Sequence, residues 1–196
     1  MLLTFPQTGD LVLRRPARAL THAEILSPEI QGLIASMIET MHGAPGVGLA
    51  APQIGMPLQL AVIEDRASYM EKLPAAHLAE RRRAPVAPHV IINPTLIITG
   101  SGEAEFFEGC LSIPGYTAVV RRGLNVRVDC LNERGEPVTI HAEGWYARIL
   151  QHEIDHLRGT LYIDRMQTRS FMTREIYERL WKDVPVTDFL KAIGDG

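Results

Sequence analysis

Cysteine is scarce in this chain, two in 196 residues, which leaves no disulfide framework to stand in for a hydrophobic core. No apolar run approaches the ~20 residues needed to span a bilayer. The start, Met1-Leu2-Leu3-Thr4-Phe5-Pro6, lacks the basic segment and long apolar core of a secretory signal, so an intracellular, reducing compartment is expected. A formal net charge of -3 and a pI near 6.2 offer no electrostatic case for nucleic acid or for an anionic membrane surface. Internal repeats, low-complexity tracts and domain linkers are also missing. What is present is a 46% hydrophobic fraction, enough to bury a sizeable core, and a single domain over residues 1–196 is expected.

Read in order, Met1 to Glu24 suggests an extended arm with breakers at Pro6 and Pro16. Ser27-Pro28-Glu29 has the marks of a helix start: a hydroxyl cap, proline in the first turn and an early carboxylate. Ile30, Leu33, Ile34, Met37, Ile38 and Met41 follow at three- and four-residue steps, so an amphipathic helix is expected over Ser27 to His42. Gly46-Val47-Gly48-Leu49-Ala50-Ala51-Pro52-Gln53 is too poor in polar groups for an ordinary surface loop, and its small residues let another backbone come close. No Gly-Lys-Ser/Thr follows, which argues against a phosphate cradle. Strands are expected at Leu58 to Ile63, in two pieces over Val90 to Thr99 broken by Asn93-Pro94, and as a hairpin of Leu124–Cys130 with Val138–Ala142. Cys130 takes the buried phase of its strand and reads as core; His141 takes the polar phase. Arg66 to Pro88 reads as a long excursion with a short helix near Ala75 to Arg83, its Arg81-Arg82-Arg83 run a solvated face. A short strand at Leu161 to Met166 and an amphipathic helix over Phe171 to Val184, ended by Pro185, close the chain.

Gln151-His152-Glu153-Ile154-Asp155-His156 carries the chemistry. On a helix, two histidines four residues apart project one turn apart from one face and can close on a single metal ion. Apolar spacing at Trp145, Ile149, Leu150, Ile154 and Leu157, with glycines at 144 and 159, supports that helix. Glu153 beside such an ion can take a proton from water and pass it to a leaving group, the division of labour in metal-assisted amide hydrolysis. A third ligand is needed to leave one position open. Histidine six residues after the second ligand is excluded, because that position is Tyr162. Glu175 or Glu178, as in a gluzincin endopeptidase, and Cys110 of Glu108-Gly109-Cys110-Leu111-Ser112 remain. A closed structural zinc site is disfavoured, since no fourth ligand is evident.

The stretches GVGLAAPQ, EGCLS and QHEIDH resemble, in order and separation, the three signature motifs of peptide deformylases. Gly144 to Ile149 and the long excursion resemble the organelle-type branch, and with no transit peptide evident a bacterial member in the cytoplasm is expected, an organellar matrix being the alternative. The resemblance implies an α+β fold: antiparallel strands packed around a central metal-binding helix, with the helix Ser27 to His42 against them. It implies Cys110, His152 and His156 as ligands to iron(II), replaceable by zinc, nickel or cobalt. It further implies Glu153 as general base and acid, Gln53 and the Leu111 backbone N–H as oxyanion donors, and Gly48 as a backbone partner of the substrate. That substrate would be a nascent formyl-methionyl peptide, met near the ribosome exit and yielding formate. Val47, Phe106, Trp145, Arg148 and Ile149 are expected to form the methionine pocket, with the Arg148 head directed to its mouth. The resemblance also favours Arg122, over Arg121, as the cation that compensates Glu108.

Overall fold

The segments with helical spacing over Ser27 to His42 and Trp145 to Leu157 fold as helices, and the strands form two antiparallel sheets. The computed structural model describes residues 5–44 and 46–194; the start of the amino-terminal arm, residues 1–4, lies outside them. After a short helix α1 (His22–Ile25), α2 (Pro28–Gly43) begins where the Ser27 hydroxyl accepts the Ile30 N–H at 3.3 Å. Its stripe of Ile30, Ile34, Met37 and Met41 is buried, as a three- and four-residue apolar repeat requires.

The larger sheet comprises β1 (Gly48–Ala50), β2 (Leu60–Asp65), β3 (Val86–Ile98), β6 (Asn125–Leu131) and β7 (Pro137–Glu143), in that spatial order. Successive side chains on a strand point to opposite faces, and the two faces have different partners. Leu60, Val62 and Ile92 pack with α2, while Ala61, Ile63, Ile91, Val126 and Val128 pack with α4 (Gly144–Leu157). Helix α4 therefore lies against the sheet with Ala147, Leu150, Ile154 and Leu157 inward. It enters at Gly144, whose φ is +58°; an added Cβ there would stand 2.5 Å from Arg82 Cβ and 2.6 Å from the Arg81 carbonyl. Only glycine lets the excursion cross so close to the start of the helix.

The smaller sheet has β5 (Ile113–Gly123) between β4 (Glu103–Cys110) and the two-residue β8 (Met172–Thr173). The β4–β5 hairpin places Cys110 at its turn, opposite Ile113. Gln151 fastens α4 to this hairpin: its amide donates to the Gly123 carbonyl at 2.8 Å and its oxygen accepts the Gly123 N–H at 3.1 Å.

Several local expectations change in the tertiary setting. The break at Asn93-Pro94 is a bulge in one continuous β3: Asn93 has φ +52°, and its side chain bonds both backbone groups of Leu20 at 2.9 and 2.8 Å, so the bulge anchors the amino-terminal arm. Leu161 to Met166 is no strand but a 3-10 turn at Tyr162–Asp164, which buries Leu161 and Tyr162. The final helix over Phe171 to Val184 is replaced by β8, a short α5 (Arg174–Ile176), a π-helical turn Tyr177–Trp181 and an unanticipated α6 (Val186–Ala192) begun by Pro185. Leu180 is exposed, because the core here is filled by Phe189 and Leu190 of α6. The excursion contains α3 (Ala75–Arg81), close to the helix expected there.

Candidate metal centre

The turn of the β4–β5 hairpin meets the middle of α4 at three potential ligands. The donor atoms of Cys110, His152 and His156 all lie within 4.8 Å of one another, and Cys110 Sγ is 3.3 Å from His156 Nε2. Among the described residues, no other group of three such side chains converges in this way. Burial alone would raise the Cys110 thiol, but the charge of His156 and a hydrogen bond from His152 bring it well below its ordinary value. A ready thiolate with two imidazoles, open on one side to a cavity, fits a divalent ion of intermediate softness with one position left for water.

The ligands are held by charges that are themselves buried. His152 Nδ1 donates to Glu108 Oε2 at 2.9 Å, which leaves its Nε2 for the metal. Glu108 accepts two hydrogen bonds from Arg122 at 3.0 Å each, and one from Arg148 at 2.6 Å. Burial would push the Glu108 carboxyl up; the bond from His152 and the charge of Arg122 outweigh it and hold the group well below the carboxylate range. Arg122 also donates to Asp155 on α4, and Asp155 is gripped on its other side by Arg165 at 2.6 and 2.7 Å. The two arginines on Glu108 shift in opposite directions. Burial lowers Arg148 to about 10, with one carboxylate beside it and Arg122 and Arg81 repelling it, whereas Arg122 is raised despite its burial because it is shared by two carboxylates.

Glu153, on the same turn of α4, is buried, and its Oε2 has no hydrogen-bond partner. Desolvation raises its carboxyl above the ordinary value, against the two histidine charges. Gly48 lies directly over it: a Cβ on Gly48 would come within 2.4 Å of Glu153 Oε1. The small residues read in the sequence thus allow β1 to close onto the carboxylate. Gln53 is oriented by the Ala50 N–H, which donates to its Oε1 at 2.8 Å, so its Nε2 is directed to the site, 3.4 Å from Cys110 Sγ. A cavity of about 500 Å³ opens here, with Gly48, Gln53, Leu111, Glu153 and His152 on its wall.

A family model described as polypeptide deformylase matches residues 2–171. The chain belongs to the polypeptide deformylase family. It is 48% identical over 169 residues to chloroplastic peptide deformylase 1A of Solanum lycopersicum, which covers 86% of this chain and 61% of that one. It is also 48% identical over 190 residues to peptide deformylase 3 of Streptomyces avermitilis, covering 95% of this chain and 81% of that one. The match thus spans under two thirds of the tomato protein's length. Among solved structures, the Synechococcus elongatus deformylase in complex with actinonin superposes with a TM-score of 0.69 at 39% identity, over 84% of this chain and 79% of that one. The class I type b deformylase of Acinetobacter baumannii bound to Met-Ala-Ser gives 0.75 at 29% identity, over 85% and 99%.

Within this deformylase fold, the residues expected at the methionine pocket separate. Val47, Trp145, Arg148 and Ile149 line the cavity; Phe106 does not, and its neighbour Phe107 does. Strand alternation turns Phe106 inward, where its ring meets Trp145 at 6.2 Å. The Arg148 head is not at the mouth. It is buried, bonded to Glu108 and to the carbonyls of Val120 and Ala104. The arginine run is not uniformly solvated either: Arg83 forms a buried pair with Asp65 at 2.8 Å, and the Arg81 guanidinium lies 5.1 Å from the Trp145 ring and 5.5 Å from Phe106. Only Arg82 is exposed. Asp155 and Arg165 were missed. A lone carboxylate on the inner side of an apolar helix was a signal for the first; nothing in the sequence pointed to the second.

Proposed function

We propose that this protein is a metal-dependent hydrolase that removes the formyl group from the amino-terminal methionine of newly made proteins, releasing formate. The carrying observation is the convergence of Cys110, His152 and His156 beside a buried Glu153 whose Oε2 has no hydrogen-bond partner, with Cys110, His152 and Glu153 on the wall of one cavity. Substrate and reaction are drawn from the family. The peptide Met-Ala-Ser bound to the Acinetobacter baumannii relative has the sequence that such a reaction would leave.

A bound divalent ion supplies Lewis acidity and lowers the pKa of a coordinated water toward neutrality. The chain's own residues do the rest. Glu153, buried beside the ligands with Oε2 unbonded, takes the proton from the attacking water and delivers it to the departing amine. The Gln53 amide, its orientation set by Ala50, and the Leu111 N–H donate to the formyl oxygen as it gains charge, each such donor contributing on the order of 3 kcal/mol to barrier lowering. Gly48 leaves room for the substrate backbone against β1. Trp145, Ile149 and Val47 provide an apolar wall for the methionine side chain, and Phe106 supports Trp145 from behind. Glu108, Arg122 and Arg148 fix the His152 ring.

Iron(II) is the proposed ion in the cell, with zinc, nickel or cobalt able to occupy the same donors. The proposed setting is the bacterial cytoplasm, with the nascent chain met near the ribosome exit and residues 1–196 acting as one catalytic unit. Among the described residues, no helix is long and apolar enough to cross a membrane. The gluzincin alternative finds no support in the geometry: Glu175 is 85% exposed beside Arg179, and Glu178 pairs with Arg174. Formate release from a formyl-Met peptide by anaerobically prepared, iron-loaded protein is the test. Cys110→Ala should abolish stoichiometric metal binding, whereas Glu175→Gln combined with Glu178→Gln should retain it; the reverse result overturns the assignment.

A further inference from the structure

Four arginines line the cavity over the metal ligands: Arg81, Arg83, Arg148 and Arg174. Three of them meet a carboxylate, Arg83 with Asp65 at 2.8 Å, Arg148 with Glu108 at 2.6 Å and Arg174 with Glu178 at 3.7 Å. Arg81, the last residue of α3, has no carboxylate partner among the described residues. Its guanidinium lies 5.1 Å from the centre of the Trp145 ring and 5.5 Å from that of Phe106, while its Nε is buried and bonded to no acceptor. The Trp145 indole Nε1 is buried without an acceptor as well. Ring faces attract a cation. They give its N–H donors no lone pair, and buried donors left unbonded are costly. The backbone holds Arg81 at this place: the next residue, Arg82, bonds Glu143 at 3.1 Å, and the Arg81 carbonyl crosses Gly144 so closely that a Cβ there would stand 2.6 Å from it. The excursion is thereby pinned to the first turn of α4.

Distance along α4 sets what this cation can reach. Trp145, Ile149 and His152 all line the cavity. At 1.5 Å per residue, Ile149 stands about 4.5 Å along the helix from His152 and Trp145 about 10 Å. A formylated methionine extended over the five bonds from formyl carbon to thioether sulfur spans roughly 6 Å. With the formyl group at the metal ligands and the side chain along the apolar wall, the sulfur passes Ile149 and approaches the Trp145 ring, where Arg81 stands. Thioether sulfur is a weak acceptor but a polarizable one. A side chain of the same length built only of carbon offers the guanidinium nothing.

We infer that Arg81 is a specificity-determining residue that reads the side-chain tip of the first peptide residue, its guanidinium donating to the thioether sulfur and so favouring methionine over an all-carbon side chain of equal length. The inference rests on the deformylase reading above. It gives the excursion over residues 66–88 a part in recognition that the three signature motifs do not contain.

The test uses the metal-loaded full chain and compares kcat/KM for formyl-Met-Ala-Ser and formyl-norleucyl-Ala-Ser, which differ only by sulfur against a methylene. Arg81→Leu keeps an apolar stem against Trp145 and removes every donor, whereas Arg81→Lys keeps a charged donor. Wild type should favour methionine by about fivefold, the effect of one modest hydrogen bond. Arg81→Leu should bring that ratio to about one, and Arg81→Lys should retain most of it. Calorimetric binding of the free peptides Met-Ala-Ser and norleucyl-Ala-Ser should show the same preference and the same loss. Damage that is merely structural slows both substrates alike and leaves the ratio in place; that result in Arg81→Leu overturns the role of Arg81. Formate release by a wild type indifferent to the sulfur also overturns it, and leaves the deformylase reading intact. The converse, no formate from either substrate while the binding preference is present in wild type and lost in Arg81→Leu, overturns the deformylase reading and keeps Arg81 as the sulfur-reading residue.

Discussion

Replacing Arg122 by alanine should destabilise the protein and loosen its metal together, whereas the same change at Arg121 should do neither. Arg122 and both its acidic partners are almost fully buried, at 4%, 5% and 6% side-chain exposure. The substitution removes two hydrogen bonds to Glu108 and one to Asp155, each between full charges. It does not leave either carboxylate bare, because Arg148 still holds Glu108 and Arg165 still holds Asp155. The expected loss therefore lies at the low end of the range for breaking a buried ion pair, about 3 kcal/mol. For a chain of this size that corresponds to roughly 6–12 °C in Tm. Glu108, left to Arg148 alone, fixes His152 Nδ1 less firmly, and second-sphere changes of this kind typically cost about 10–100-fold in metal affinity. Arg121 is 60% exposed and pairs with Glu105 at 2.7 Å, a surface contact of about 0.2–1 kcal/mol. Thermal unfolding and chelator competition on the two variants side by side provide the measurement. Equal, small effects from both would refute the account of how His152 is held.

Three further outcomes follow from other parts of the structure. Glu153→Gln should keep the metal, since the three ligands are untouched, and lose about 10²–10⁴-fold in turnover; near-normal turnover would remove Glu153 as the proton carrier. Gly48→Ala should lower activity while retaining metal, because the new Cβ would sit 2.4 Å from Glu153 Oε1 and must displace that carboxylate; a crystal structure of the variant with Glu153 unmoved would contradict this. His89 titrates below its ordinary 6.5, burial being the main cause, with its Nδ1 on the Ala87 carbonyl and its Nε2 accepting from Tyr146 at 2.9 Å. A depressed histidine adds stability that is fully present above pH 6.5 and is lost as the pH falls from there toward the folded value. The Tm difference between wild type and His89→Gln should accordingly narrow between pH 8 and pH 5.5; a constant difference would show that His89 is not held neutral.

The local patterns determined much of this protein. Ser27-Pro28 and the apolar stripe of Ile30 to Met41 specify α2 because cap, proline and repeat are all contained in one segment. The alternation of Val126, Val128 and Cys130 specifies β6 for the same reason. His152 and His156 share a face by helical geometry alone, so a metal pair is legible before any tertiary contact is known. The third ligand was not derivable from spacing, since Cys110 and Glu175 were both admissible; the resemblance to deformylase motifs pointed to Cys110, and the β4–β5 hairpin brings it within reach of α4. The direction of the Arg148 head, the placement of Arg81 and Arg83 against Trp145 and Asp65, and the pairing of Asp155 with Arg165 were decided only by folding. A long basic side chain can lie in solvent or reach a buried carboxylate, and which it does depends on charges remote in sequence. The carboxy-terminal segment shows the same limit. Its apolar residues fit one amphipathic helix, but Phe107 and Val119, supplied by two strands far earlier in the chain, offer a hydrophobic surface that Phe189 and Leu190 fill, and the chain bends at Pro185 to reach it.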